Sequence, residues 1–161
     1  ENVMLWTSKL RPDADEILLL AGFGHDVERA RPDRYTREMF ATYDEYKHEH
    51  ARKAGEIATS IAIASGYSPS DGDRLAHIIA EGEFSSDEPD VQLLCDADSI
   101  SFFDNNASYY LADKGPEWTK KKMRFAYERA SDTAKRHIKE VLATKPELDL
   151  AEIATSKLSS I

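Results

Sequence analysis

His25 and Asp26 stand side by side at the end of an apolar run, Ile17-Leu18-Leu19-Leu20-Ala21-Gly22-Phe23-Gly24. An imidazole and a carboxylate closing a hydrophobic helix are costly to bury. A bound divalent metal is the usual compensation, because both groups ligate it and its charge offsets their desolvation. Far downstream, Leu93-Leu94-Cys95-Asp96-Ala97-Asp98 has the same form, an apolar segment ending in acid. Two buried helices, each delivering a polar ligand, would make one site.

The elements that must position these residues read as helical almost throughout. Val3, Leu5, Trp6 and Leu10 form a short amphipathic segment ended by Pro12. Asp13 or Asp15 can cap a second helix running through Ile17 to Leu20 towards His25. The polar stretch from Arg29 to Tyr43 contains Pro32 and reads as a loop or broken helix. A long helix is expected from Tyr43 to Ala64, with Ile57, Ile61 and Ala64 on its apolar face and Gly66 stopping it. Asp71 or Asp73 opens the next, through Leu75, Ile78 and Ile79 to Gly82. Ser85-Ser86-Asp87-Glu88-Pro89 signals another N-terminus, followed by a helix from Val91 to Phe103. Pro116 starts what reads as the longest helix, carrying Trp118, Met123, Phe125, Tyr127, Ile138, Val141 and Leu142, and Pro146 starts the last, through Leu150, Ile153 and Leu158. Strand-like alternation is nowhere sustained, and no repeat or linker divides the chain. The expected fold is an all-α helical bundle, one domain over residues 1–161.

Within this helical order, Ala21-Gly22-Phe23-Gly24-His25-Asp26-Val27-Glu28-Arg29 resembles the signature of the HD-domain superfamily of metal-dependent phosphohydrolases. Asp96-Ala97-Asp98-Ser99 resembles the later motif of that family, with Asp98 in the ligand position. The motifs span residues 1–103, and the helices of 116–161 are additional to them. The resemblance implies a bundle of the HD-domain type with His25, Asp26 and Asp98 as metal ligands. Members with two metals add histidines on the intervening helices. His50, in His50-Ala51-Arg52-Lys53-Ala54-Gly55, resembles the first of these, while Gly82 occupies the slot of the second. A histidine on the helix before the His-Asp pair usually completes the ligand set. No histidine precedes His25, so on the family pattern that ligand lies upstream of Glu1 or is absent. One metal with auxiliary polar groups is therefore expected rather than a full two-metal cluster.

His and Asp donors favour a divalent transition ion, Mn, Fe, Co, Ni or Zn. Such an ion polarises a phosphoryl oxygen and turns bound water into a nucleophile. No other cofactor site is read. Arg29 lies four residues after His25, where its planar fork suits a phosphate, and Lys53, three residues after His50, is expected to point into the same cavity. These two are the expected catalytic residues, with Glu28 and Glu83 as candidate proton-transfer groups. The reading is a phosphohydrolase acting on a small phosphorylated metabolite or nucleotide. A two-iron oxygenase of the same fold and a ligand-binding domain without turnover are the alternatives. His77 and His137 read as structural or surface residues, and Lys120-Lys121-Lys122 with Arg124 as a solvated face. Arg124 or Arg129 could still face phosphate if a C-terminal helix closes over the pocket.

The net charge of −9 argues against nucleic-acid or anionic-membrane surfaces as partners. The single Cys95 excludes an internal disulfide framework and fits a cytoplasmic location. No apolar stretch approaches the roughly 20 residues of a membrane helix. The C-terminal helices offer a surface for a homodimer.

Overall fold

The computed structural model describes residues 1–148, which fold as α-helices and short helical turns around one core, with no strand among them. Helix α1 (Asn2–Leu10) is followed by α2 (Glu16–Gly24), whose first turn is capped by Asp15 accepting from the Leu18 amide at 3.0 Å. Two 3₁₀ turns, Val27–Ala30 and Arg37–Met39, carry the chain to α3 (Tyr43–Ala64). There Thr42 caps by accepting from the Glu45 amide, and Gly66 turns the chain out at a φ of 100°. Helix α4 (Pro69–Glu81) opens earlier than Asp71. Ser68 is its cap, and Asp71 is the third helical residue, returning a hydrogen bond to the Ser68 amide.

Helix α5 (Pro89–Ser101) runs through the middle of the molecule. Val91, Leu94, Cys95, Ala97 and Ile100 are all buried, and it touches α1, α2, α4, α7 and α8. It passes through a π-helical turn (Phe102–Asn106) into α6 (Ala107–Lys114). The segment after Pro116 is two helices rather than one, α7 (Pro116–Arg129) and α8 (Asp132–Leu142), so α3 is the longest. Ala130 is extended (φ −74°, ψ 143°), and Ser131 then caps α8. The break has a tertiary cause: Asp96 of α5 accepts from both the Ser131 amide (2.8 Å) and its hydroxyl (2.5 Å). The helix expected from Pro146 onward lies, from residue 149, outside the described residues.

The buried face of α3 also differs from the one expected. Ile61 is 55% exposed, and the core side is the small-residue row Ala51, Ala54, Gly55, Ala58 and Ala62. Small residues win because α4 lies so close: a Cβ at Gly55 would stand 2.8 Å from the carbonyl oxygen of Ala76. No helix among the described residues is long and apolar enough to cross a membrane.

Candidate functional site: a cationic cavity beside His25, Asp26 and Asp98

Helix α2 ends at Gly24, and His25 is its C-cap, with its amide bonded to Ala21 O at 2.9 Å. Its ring Nδ1 lies 3.1 Å from Gly22 O. A carbonyl only accepts, so Nδ1 carries the proton and Nε2 is turned the other way. Nε2 there faces two carboxylates, Asp98 Oδ1 at 3.4 Å and Asp26 Oδ2 at 3.9 Å. Burial disfavours the imidazolium, but Asp98 and Asp26 outweigh it and raise the His25 pKa. Asp98 reaches this point because it stands two residues beyond Asp96 on α5, nearly opposite on the helix. Asp96 anchors the α7–α8 junction while Asp98 faces the site.

Asp26 Oδ1 accepts from Arg29 Nε at 2.8 Å and meets His50 Nε2 at 2.9 Å. His50 is fully buried on α3, and its Nδ1 lies 2.6 Å from Glu28 Oε2. Glu28, itself fully buried, also accepts from the Tyr35 amide and so ties down the loop after the first 3₁₀ turn. Both nitrogens of His50 are thus engaged by carboxylates. Burial works against the charge of Asp26, yet His50, His25 and Arg29 hold its pKa below the ordinary carboxylate range.

Of these groups Asp26, Arg29 and Asp98 open onto a cavity of about 170 Å³, whose other walls come from Glu83, α3, the π-helical turn, α6 and α7. Its lining includes four cations, Arg29, Lys47, Lys122 and Arg129, against three carboxylates, Asp26, Glu83 and Asp98. Arg129, at the end of α7, is buried and donates to Asp98 (2.5 Å), to Ser99 Oγ (3.0 Å) and to the Glu83 carbonyl (2.7 Å). Lys47 pairs with Glu83. Lys122 donates to the Tyr43 hydroxyl at 2.6 Å and has no carboxylate partner among the described residues. The crowding has electrostatic consequences. Burial, with Lys122 and Arg129 nearby, holds the Lys47 pKa well below the usual lysine value. Burial likewise lowers that of Lys122, helped by Arg29 and Arg129. Asp98 loses hydration on burial, but Arg129 and His25 keep its pKa well below the carboxylate norm.

The structure therefore brings together His25, Asp26, Asp98, His50 and Arg29. It does not bring Lys53 to them. Lys53 Nζ donates to Asp33 O at 2.6 Å and sits 4.3 Å from the Tyr35 ring centre, away from the cavity lining. His77 bonds Glu88 at 2.8 Å, and His137 lies beside Trp6 with Glu140 at 3.0 Å. Lys122 is not part of a solvated face. Lys47 was hidden in a polar stretch, although it precedes His50 by three residues and so shares its helix face. A signal for Lys122 existed too, since it and Arg129 are seven apart, two turns on one face of α7. Gly82, in the slot of the second extra histidine, cannot carry a side chain there. Its Cβ would lie 2.7 Å from Leu94 Cδ2 and 2.8 Å from Ile78 O. Among the described residues no three His, Cys, Asp or Glu side chains stand arranged so that they could hold a metal ion as placed.

No curated protein and no solved structure matches the chain. A family model described as a domain of unknown function (DUF4202) matches residues 1–150, a span that includes α7 with its Lys122 and Arg129. The chain belongs to that family, DUF4202.

Proposed function

We propose that this protein is a metal-dependent phosphohydrolase of the HD-domain type, acting on a small phosphorylated substrate. The observation that carries the reading is the aim of His25: its Nδ1 is fixed on Gly22 O, so Nε2 faces Asp26 and Asp98 beside a cavity rich in cations. A cation shared between Nε2 and the two carboxylates would take the place of the proton that they otherwise favour on that nitrogen. Ligands about 2.1 Å from one ion stand roughly 3.0–3.4 Å from each other. The 3.4 Å between His25 and Asp98 fits that spacing, and the 3.9 Å to Asp26 is a little wide. His25, Asp26 and Asp98 are the residues that would hold the ion. His50, with both nitrogens taken, suits orienting Asp26 rather than ligation.

When bound, a Mn, Fe, Co, Ni or Zn ion would supply polarisation of a phosphoryl oxygen and acidification of water. The chain's own groups do the rest. Arg29, Lys122 and Arg129 line the space where a phosphate's oxygens would lie, and each is a donor without acceptor capacity. Arg129 also fixes Asp98, and Arg29 fixes Asp26, so the same guanidinium groups position the carboxylates and offer charge to the substrate. A two-iron oxygenase would need a side chain at Gly82, where none fits.

Purified protein supplied with Mn, Co or Ni and assayed against a broad phosphoester panel is expected to release inorganic phosphate. Metal analysis of native protein should find about one equivalent, lost in His25→Ala. No phosphate release from any substrate would overturn the reading and leave a phosphate-binding domain without turnover.

A further inference from the structure

A second cavity, of about 440 Å³, adjoins the first and shares Arg29, Tyr110 and Lys122 with it. Its remaining walls carry the aromatic rings of Tyr43, Tyr46 and Trp118 together with Arg37, Glu38 and Lys114. Two tyrosine hydroxyls hold the two cations at the seam: Lys122 Nζ donates to Tyr43 Oη at 2.6 Å, and Arg29 Nη1 donates to Tyr46 Oη at 3.1 Å. Arg29, Lys47 and Arg129 each already face a carboxylate, whereas among the described residues Lys122 has none. The seam thus presents a cation with no ion-pair partner among the described residues, between a small polar chamber and a wider one with three further aromatic rings. Trp118 is 53% exposed although it lines that chamber, a surface that bound ligand would cover.

We infer that the two cavities form one bipartite ligand site, in which Lys122 takes the phosphate group and the chamber of Tyr43, Tyr46 and Trp118 takes a planar aromatic body attached to it. The inference rests on the small cavity being a phosphate site, and it adds the chemical class of what the phosphate is joined to. A phosphate ester of a flat unsaturated ring system fits both halves. An ester of a saturated ring or chain of similar bulk fills the second chamber without stacking on its walls. Size agrees as well. The first cavity, of about 170 Å³, is below the roughly 300–1,000 Å³ of a small-molecule cleft, whereas the second, of about 440 Å³, lies within it and has room for the body that the phosphate carries.

Calorimetry on the full chain in EDTA, which prevents turnover, tests this directly. The probes are 1-naphthyl phosphate, cyclohexyl phosphate, inorganic phosphate and 1-naphthol. Naphthyl phosphate is expected to bind about three- to tenfold more tightly than cyclohexyl phosphate, the scale of an aromatic contact, with naphthol weakest. Trp118→Ala should erase that preference while leaving inorganic phosphate binding unchanged. Lys122→Gln should weaken all three phosphate compounds about tenfold without altering their ratio. Equal affinity for the naphthyl and cyclohexyl esters, or a preference that survives Trp118→Ala, would overturn the inference, as would failure of all the phosphates to bind. The expected binding profile without phosphate release under Mn, Co or Ni would uphold the bipartite site and overturn the phosphohydrolase reading alone.

Discussion

Arg129 is the residue on which the arrangement of the site turns. Its guanidinium spends its donors on Asp98, Ser99 and the Glu83 carbonyl, joining α7 to α5 and to the end of α4 at once. It is buried, and Asp98 is mostly so. Removing it takes the closest cation from a largely buried carboxylate, leaving His25 at 3.4 Å and the more distant Lys47, a loss that typically costs about 3 kcal/mol. Arg129→Ala is therefore expected to lower unfolding stability by about 3 kcal/mol in urea titration. A change below about 1 kcal/mol would mean that the network is not formed in solution. Glu28 and His50 follow the same logic one step further from the cavity. Neither lines it, yet through Asp26 they fix one of the carboxylates that do.

Between elements, charge pairs tie helix ends that hydrophobic packing alone leaves free to slide. Arg11, just past α1, reaches Asp90 at the start of α5 at 2.6 Å, and Arg74 of α4 bridges Asp90 (2.8 Å) and the α2 cap Asp15 (2.6 Å). Hydrogen bonds from Arg74 and Arg11 lower the Asp90 pKa against a modest desolvation. A carboxylate whose folded value is depressed stabilises the fold fully above its unfolded value, near 3.9, and loses that contribution as pH falls through the folded value. Wild type should thus exceed Asp90→Asn in stability above about pH 5, and the two should converge below about pH 3. The gap should stay under about 1 kcal/mol, because the pair is a third exposed and water screens it. Thermal melts of both proteins across that range decide it, and a gap that persists at low pH would contradict the pairing.

Over the whole molecule the sign of charge divides. The chain carries −9, while the cavity lining holds one more cation than carboxylates. A small anion entering the cavity meets a locally positive wall. A nucleic-acid duplex, which must contact a broad surface, meets net repulsion. The protein is expected to leave duplex DNA unshifted in gel electrophoresis at about 150 mM salt. A shift that weakens steeply with added salt would refute this. The same division lets composition argue against nucleic-acid and membrane surfaces while the cavity suits a small anion: a sum over the chain does not register four cations gathered from α3, α7 and the turn after α2.

Local signals decided the helices and the place of the His-Asp pair. Asp15, Thr42, Pro89 and Pro116 mark helix starts through capping and proline geometry, interactions that span a single turn and so lie wholly within neighbouring residues. Tertiary structure decided what depends on partners far along the chain. The break at Ala130 carries a local mark, the Ser131 cap of α8, but it is held by Asp96, 35 residues from Ser131, which the helical period of residues 116–142 does not register. Lys122 faces the cavity because Tyr43, 79 residues away, receives it, whereas Lys53 is drawn off to Asp33. Spacing along one helix says which residues share a face. Only the packing of a second helix says whether that face meets water, core or cavity.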